Sequence, residues 1–201
     1  MDADDVVVDW LGPIREWLIE TKQVKLKSQW PSSHRLNNWL DGVNYIKAAA
    51  LFVEFNERSG WMSKLPAADQ FTCEALHQLH ADQFELHILS APGKKTLLLE
   101  QRRQCLEALG VDHLFSTVRH IPLFSSKLPE LRKFEPSIWI EDNVGHALSG
   151  VKAGHEAIIL RRPTNAHLES GEAAERCHWV DDWSGVMNVV NRFHMAPEMV
   201  A

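Results

Sequence analysis

At 201 residues, 45% of them hydrophobic and 24% charged, the chain has the size and composition of one globular domain, with room for a small insertion. A net charge of −6 and the lack of any Lys/Arg run exclude the basic stripe of a duplex-binding protein, although not a small nucleotide ligand. No apolar stretch approaches the roughly 20 residues that span a bilayer, and no secretory leader pattern is present. Cys73, Cys105 and Cys177 are widely spaced without a CxxC pair, so reduced thiols and a cytoplasmic location are expected.

Taken in chain order, Pro13 suits the first turn of a helix over 14–21 with Ile14, Trp17 and Leu18 on one face. Residues 22–65 are irregular and aromatic-rich, holding Trp30, Trp39, Tyr45, Phe52, Phe55 and Trp61, with a helix expected over 43–55 around Ala48, Ala49, Ala50 and Leu51. A regular rhythm follows. Pro66 is expected to open a helix to about residue 80, and 84–89 reads as a short strand ending at Ser90. Pro92-Gly93 breaks the chain before a helix over 95–109 that Gly110 stops. Strands are expected at 114–118, 137–140, 157–160 and 177–180, with helices over 144–153, ended by Gly154, and over 182–193. Strands alternating with helices of this length imply an α/β fold built on a doubly wound parallel sheet.

Ligands of such sheets bind beyond the carboxyl ends of the strands. The polar residues expected there are Asp2 and Asp4, then Ser90, then Glu141-Asp142, with Lys127 on the loop before the last of these strands. In an extended segment Asp2 and Asp4 share a side, and two such close carboxylates repel unless a cation or a shared proton intervenes. Alone, the pair would serve equally as an acidic helix N-terminus. Ser90 alone could cap a turn, Lys127 could be a solvated loop residue, and Glu141-Asp142 could cap the helix that follows. Their conjunction along one rim is what points to Mg²⁺ and phosphoryl chemistry, because Mg²⁺ favours a few carboxylates plus phosphate oxygens, and a lysine and a hydroxyl can orient a phosphoryl group.

Asp2-Ala3-Asp4-Asp5-Val6, Ile88-Leu89-Ser90, Lys127 and Ile138-Trp139-Ile140-Glu141-Asp142 resemble the four motifs of the haloacid dehalogenase-like phosphohydrolases. The continuation to Asp9-Trp10 and the Ser90-Ala91-Pro92 turn are similar to the 5′(3′)-deoxyribonucleotidase branch. The resemblance implies a core of residues 1–21 and 66–201 with a helical cap over 22–65, and a Mg²⁺-dependent phosphomonoester hydrolase for nucleoside monophosphates. It implies Asp2 as nucleophile and Asp4 as acid and base. Metal ligation would fall to Asp2, the backbone carbonyl of Asp4 and Asp142, phosphate binding to Ser90 and Lys127, and a supporting role to Glu141. Lys94, Lys95 and Arg102 are alternative phosphate-binding cations. One of Trp30, Trp39 or Tyr45, in the cap, could stack on a base. Other small phosphomonoesters, a nucleic-acid 3′-phosphate end, or a non-catalytic interaction module remain alternatives, and a homodimer is left open.

One departure is large. Members of that family reach the first motif along a central apolar strand, whereas only Met1 precedes Asp2. The expectation is therefore that upstream residues are missing and that Asp2 hangs on a free terminus, where disorder is usual. His77, His80, His87, His113 and His120 show no zinc spacing and are expected to be ordinary histidines. Arg161-Arg162-Pro163 is expected to be a solvated turn.

Overall fold

The computed structural model describes residues 1–93 and 95–194. Helices α1 (Leu11–Glu20), α2 (Leu36–Trp39), α3 (Tyr45–Arg58) and α4 (Thr72–Ala81) precede the first strand, β1 (Leu86–Ser90). Then come α5 (Thr96–Ala108), β2 (Phe115–His120), α6 (Leu128–Leu131), β3 (Ile138–Glu141), α7 (Val144–Ala153), β4 (Glu156–Leu160), α8 (Gly171–Arg176), β5 (Cys177–Val180) and α9 (Trp183–His194). No helix among the described residues is long and apolar enough to cross a membrane.

Local chemistry explains the boundaries. The side chain of Asp5 accepts the Trp10 and Leu11 N–H groups, each at 3.0 Å, and Asp9 accepts Gly12 N–H, so two carboxylates satisfy the open end of α1. Asn44 caps α3 through Lys47 N–H, and Asn143 caps α7 through His146 N–H. Gly154 ends α7 at φ 95°, a left-handed position that costs glycine nothing. Within α7, a Cβ on Gly150 would stand 2.5 Å from Trp139 Cδ1, so the glycine lets the helix lie directly on β3. Pro66 does not open a helix. Residues 66–68 pair with the chain near Val8 instead, and α4 begins at Thr72 after a turn tied by Asp69.

Strands β1 and β2 pair in parallel, as do β3 with β4 and β4 with β5. The two groups are joined by the first two residues. Met1 N donates to His87 O at 2.8 Å, Met1 O accepts Leu89 N–H at 2.9 Å, and Asp2 N donates to Ile140 O at 2.9 Å. One residue bonded to two alternate residues of its neighbour is the pattern of a parallel ladder. The order across the molecule is therefore β2, β1, the Met1-Asp2 segment, β3, β4, β5. The expected dangling terminus is corrected: Asp2 is buried and held from both sides, because two open strand edges satisfy its backbone. On the N-terminal side of Met1 the edges of β1 and β3 face one another across a cavity of about 600 Å³ lined by Leu86, Ile138 and Phe134 among others.

The core runs from Val6, Val7 and Val8 through the helices to Ile158, Leu160 and Trp183. Residues 22–65 join it through aromatics. Phe55 of α3 lies 5.5 Å from Trp17 and 5.8 Å from Trp10 between ring centroids, and Trp10 Nε1 donates to Asn56. Tilted and edge-on contacts of this kind are the favoured aromatic geometries. They fix α3 against α1 and so bring the insertion to the rim of the sheet.

Candidate active site

Asp2, Ser90 and Glu141-Asp142 emerge at the same end of neighbouring strands, so parallel pairing alone delivers them to one place. Asp2, Asp4, Ser90, Lys127 and Asp142 line a cavity of about 190 Å³ together with insertion residues, whereas Glu141 is fully buried and does not line it. Lys127, at the start of α6, is fully buried and places Nζ 2.8 Å from Asp2 Oδ2 and 2.8 Å from Glu141 Oε1. Single carboxylate oxygens of Asp2, Glu141 and Asp142 all lie within 4.8 Å of one another, the only such group of potential metal ligands among the described residues. Glu141 thus sits inside the cluster, bonded to Lys127 and to Asp142 N–H.

The charge balance follows from this packing. Burial works to raise the Asp2 pKa, but the Lys127 charge and the Ala3 N–H outweigh it and bring it down to about 2. Asp2 is accordingly an ionised carboxylate at neutral pH. Glu141 is pushed up to about 8 by burial and by Asp2, against the opposing effect of Lys127. Asp142 is raised well above the usual range by burial and by Glu141, Asp5 and Asp2. One ammonium cannot offset three buried carboxylates, so the cluster holds protons that a cation would displace. All the donors are hard oxygens, which suits Mg²⁺.

Asp4 is held differently. Ser90 Oγ lies 3.4 Å from its Oδ2, and the guanidinium of Arg102 pairs with its Oδ1. Arg102 is fully buried on α5; its Nη2 makes the pair, and its Nε and Nη1 have no partner. It supports Asp4 and does not line the cavity. A signal existed in the sequence, since Arg102 is the charged member of a stripe with Leu98, Cys105 and Leu106. Lys95 pairs with Glu57, away from the cluster, and Lys94 lies outside the described residues.

Three contributions carried no readable motif. Asn165 Nδ2 donates to Asp142 O at 2.6 Å and Leu160 O at 2.9 Å, fixing the acidic loop to the end of β4. His34, from the insertion, reaches to 3.9 Å from Asp142 Oδ2 and is kept below its ordinary pKa by burial. Phe52 and Phe124 form apolar wall. None of the three expected stacking residues lines this cavity. Trp39 is buried with Nε1 on Ser28 O, Trp30 lies under the Arg15 guanidinium, and Tyr45 is 61% exposed at the start of α3. Of the expected solvated turn, Arg161 is a surface residue paired with Glu169 and Asp181, but Arg162 is not solvated: its Nε donates to Asp5 O at 2.8 Å and its Nη2 is buried.

No family model matches the sequence, and no curated protein matches it. Solved structures do. The D,D-heptose 1.7-bisphosphate phosphatase of B. bronchiseptica, complexed with magnesium and phosphate, aligns over 68% of this chain and 91% of its own, with TM-score 0.51 and 11% identity. A HAD-superfamily hydrolase from Ehrlichia chaffeensis aligns over 96% and 91%, with TM-score 0.50 and 13% identity. An L-2-haloacid dehalogenase aligns over 94% and 96%, with TM-score 0.54 and 11% identity. The chain therefore has the α/β fold of the haloacid dehalogenase-like hydrolases, with an acidic cluster at its strand ends.

Proposed function

We propose that this protein is a Mg²⁺-dependent phosphomonoester hydrolase that works through an aspartyl-phosphate on Asp2 and acts on nucleoside monophosphates. The observation that carries the reading is Asp2 itself, ionised and held 2.8 Å from a buried lysine, inside a carboxylate cluster at the strand ends. An ionised, oriented carboxylate is a competent nucleophile toward phosphorus. In the first step an Asp2 oxygen bonds to phosphorus, the bond to the alcohol oxygen breaks, and Asp4 gives that oxygen its proton. In the second, Asp4 takes a proton from water as the water oxygen bonds to phosphorus and the Asp2–phosphorus bond breaks. Ser90 and Lys127 bind the non-bridging oxygens. Asp2, Asp142 and the Asp4 carbonyl would hold the Mg²⁺, with Glu141 beside them, and the ion would supply charge neutralisation between phosphate and carboxylates.

The nucleotide assignment rests on the resemblance of the Asp9-Trp10 and Ser90-Ala91-Pro92 segments to the deoxyribonucleotidase branch, and on an insertion that lends Pro31, Ser33, His34, Leu36 and Phe52 to the cavity. In this reading residues 22–65 act as the cap and exclude water from the reacting phosphate.

The test is phosphate release from an aryl phosphate and from a panel of nucleoside monophosphates. Activity should require Mg²⁺, vanish in Asp2→Asn and fall by roughly 10²–10⁴-fold in Asp4→Asn. The Asp4→Asn defect should shrink for leaving groups that need no proton. Undiminished turnover in excess chelator, or in Asp2→Asn, rules the mechanism out.

A further inference from the structure

The cavity above the acidic cluster has a second half that the phosphoryl chemistry does not use. Its floor is charged, but much of its wall is apolar and comes from two separate segments, Phe52 of α3 and Leu123-Phe124 of the loop after β2. Phe124 is the anomaly. It is 82% exposed, more than any other large apolar residue among those described, and its backbone sits at φ 63°.

Both features run against ordinary folding preferences. A ring in water forgoes the stabilisation that burial gives aromatic side chains, and a bulky residue in the left-handed region carries backbone strain. The local geometry makes the strain specific. Ser125 N–H bonds to Pro122 O at 3.1 Å, closing a four-residue turn whose third residue is Phe124. Leu123 does not share the positive φ, so the turn has the type II pattern, in which glycine or asparagine normally takes that third position. Packing does not account for a phenylalanine there, because the ring does not enter the hydrophobic core. The turn instead holds the ring at the lip of the cavity that contains Asp2, Asp4 and Ser90.

We infer that Phe124, together with Phe52, is the specificity element for the alcohol half of the substrate, and that it selects phosphomonoesters carrying a flat apolar or heteroaromatic ring. The inference rests on the phosphohydrolase reading for its chemistry. It moves ring recognition from Trp30, Trp39 and Tyr45 to Phe124 of a core loop and to Phe52, further along the insertion helix that Tyr45 opens. The phosphoryl group is held by charges on the floor, and the ring gains contact with aromatic walls that its absence leaves wetted. Stacking of a ring on an aromatic side chain tolerates different ring identities, so the element selects a class of substrate and not a single base.

The test compares 2-phenylethyl phosphate with ethyl phosphate, both esters of simple alcohols, on the full chain with Mg²⁺. The wild type should favour the ring ester in kcat/KM. In Phe124→Gly that preference should drop by roughly 5- to 100-fold, mainly through KM, and Phe52→Leu should lower it in the same direction. Phe124→Gly should melt no lower than the wild type, since glycine takes the turn conformation without strain. Equilibrium binding of benzylphosphonate and methylphosphonate by calorimetry reads the same preference without turnover. If neither ester is hydrolysed but the benzyl compound binds in preference and loses that preference in Phe124→Gly, the catalytic reading fails and ring recognition stands. A preference unchanged within twofold in Phe124→Gly, or absent from the wild type in both measurements, overturns the inference.

Discussion

Lys127 is the residue on which the energetics of the site turn, and Lys127→Met is the perturbation that shows it. Its ammonium lies 2.8 Å from one oxygen each of Asp2 and Glu141, and none of the three is more than slightly accessible. Burial alone would lower the lysine pKa, yet the two carboxylates outweigh it and hold the group charged. Methionine has similar length but no charge, so the substitution leaves the ionised Asp2 buried beside Glu141 without its counter-ion. Breaking a buried ion pair by removing one partner costs about 3–5 kcal/mol, a large fraction of the stability of a single domain. For a chain of this size each kcal/mol moves the melting temperature by roughly 2–4 °C, so the metal-free variant should melt about 6–20 °C below the wild type. Thermal unfolding followed by circular dichroism at pH 7 measures this. Two further results are expected. Adding Glu141→Gln to Lys127→Met should recover little, because Glu141 already holds a proton at pH 7 and an amide replaces a neutral acid. Saturating Mg²⁺ should stabilise the single variant more than the wild type, because an added cation replaces the missing charge. A variant melting within about 2 °C of the wild type without metal would refute the account of Lys127 as the counter-ion of Asp2.

Mg²⁺ binding should release protons, since Glu141 titrates near 8 and Asp142 is raised in the metal-free site. Affinity should therefore rise with pH up to about 8, and calorimetry in two buffers of different ionisation enthalpy should detect the protons; a pH-independent affinity would contradict it. His120 has both ring nitrogens buried without partners and is brought down to about 4 by burial and by Arg102. Between its unfolded value of about 6.5 and 4 the unfolded chain binds a proton that the folded chain refuses, so stability falls as pH drops through that window. His120→Phe should make acid unfolding shallower, by about 2 kcal/mol or less between pH 7 and pH 5; an unchanged pH dependence would show that the ring is not kept neutral by the fold. Finally, joining four alternating apolar residues to the Met1 nitrogen should raise the melting temperature. They would continue the ladder between β1 and β3 into the 600 Å³ cavity and replace a buried amine, now lowered to about 5 by burial and by Lys127, with an uncharged amide. Protease-sensitive extensions with no gain in stability would count against a strand-receptive slot.

Much of the architecture was legible in the chain because local chemistry and burial agree. Ile158, Ile159 and Leu160 form an unbroken apolar run, which only a strand covered on both faces tolerates, and Gly154 marks the end of α7. The polar residues at strand ends were legible for the same reason. Once the strands are parallel, Ser90 and Glu141-Asp142 must leave the sheet at one edge.

What the sequence could not decide depends on groups distant along the chain. Asp2 reads as part of a loose acidic terminus, and it is ordered because backbone groups of His87, Leu89 and Ile140 lie on either side of it. Lys127 reads as one of several basic residues near the right place, and only folding shows it wholly buried between two acids while Lys95 pairs at the surface with Glu57. The aromatics of the insertion are equivalent in one dimension. Packing separates them, sending Trp39 inward, Trp30 and Tyr45 outward and Phe52 to the cavity, and it adds Phe124 from a loop that carried no motif. Composition and periodicity determine which segments become strands and helices, since these depend on neighbours within a few residues. Which side chain meets which across the fold is decided by long-range packing, since desolvation, charge pairing and ring contact act through space and carry no fixed spacing in the chain.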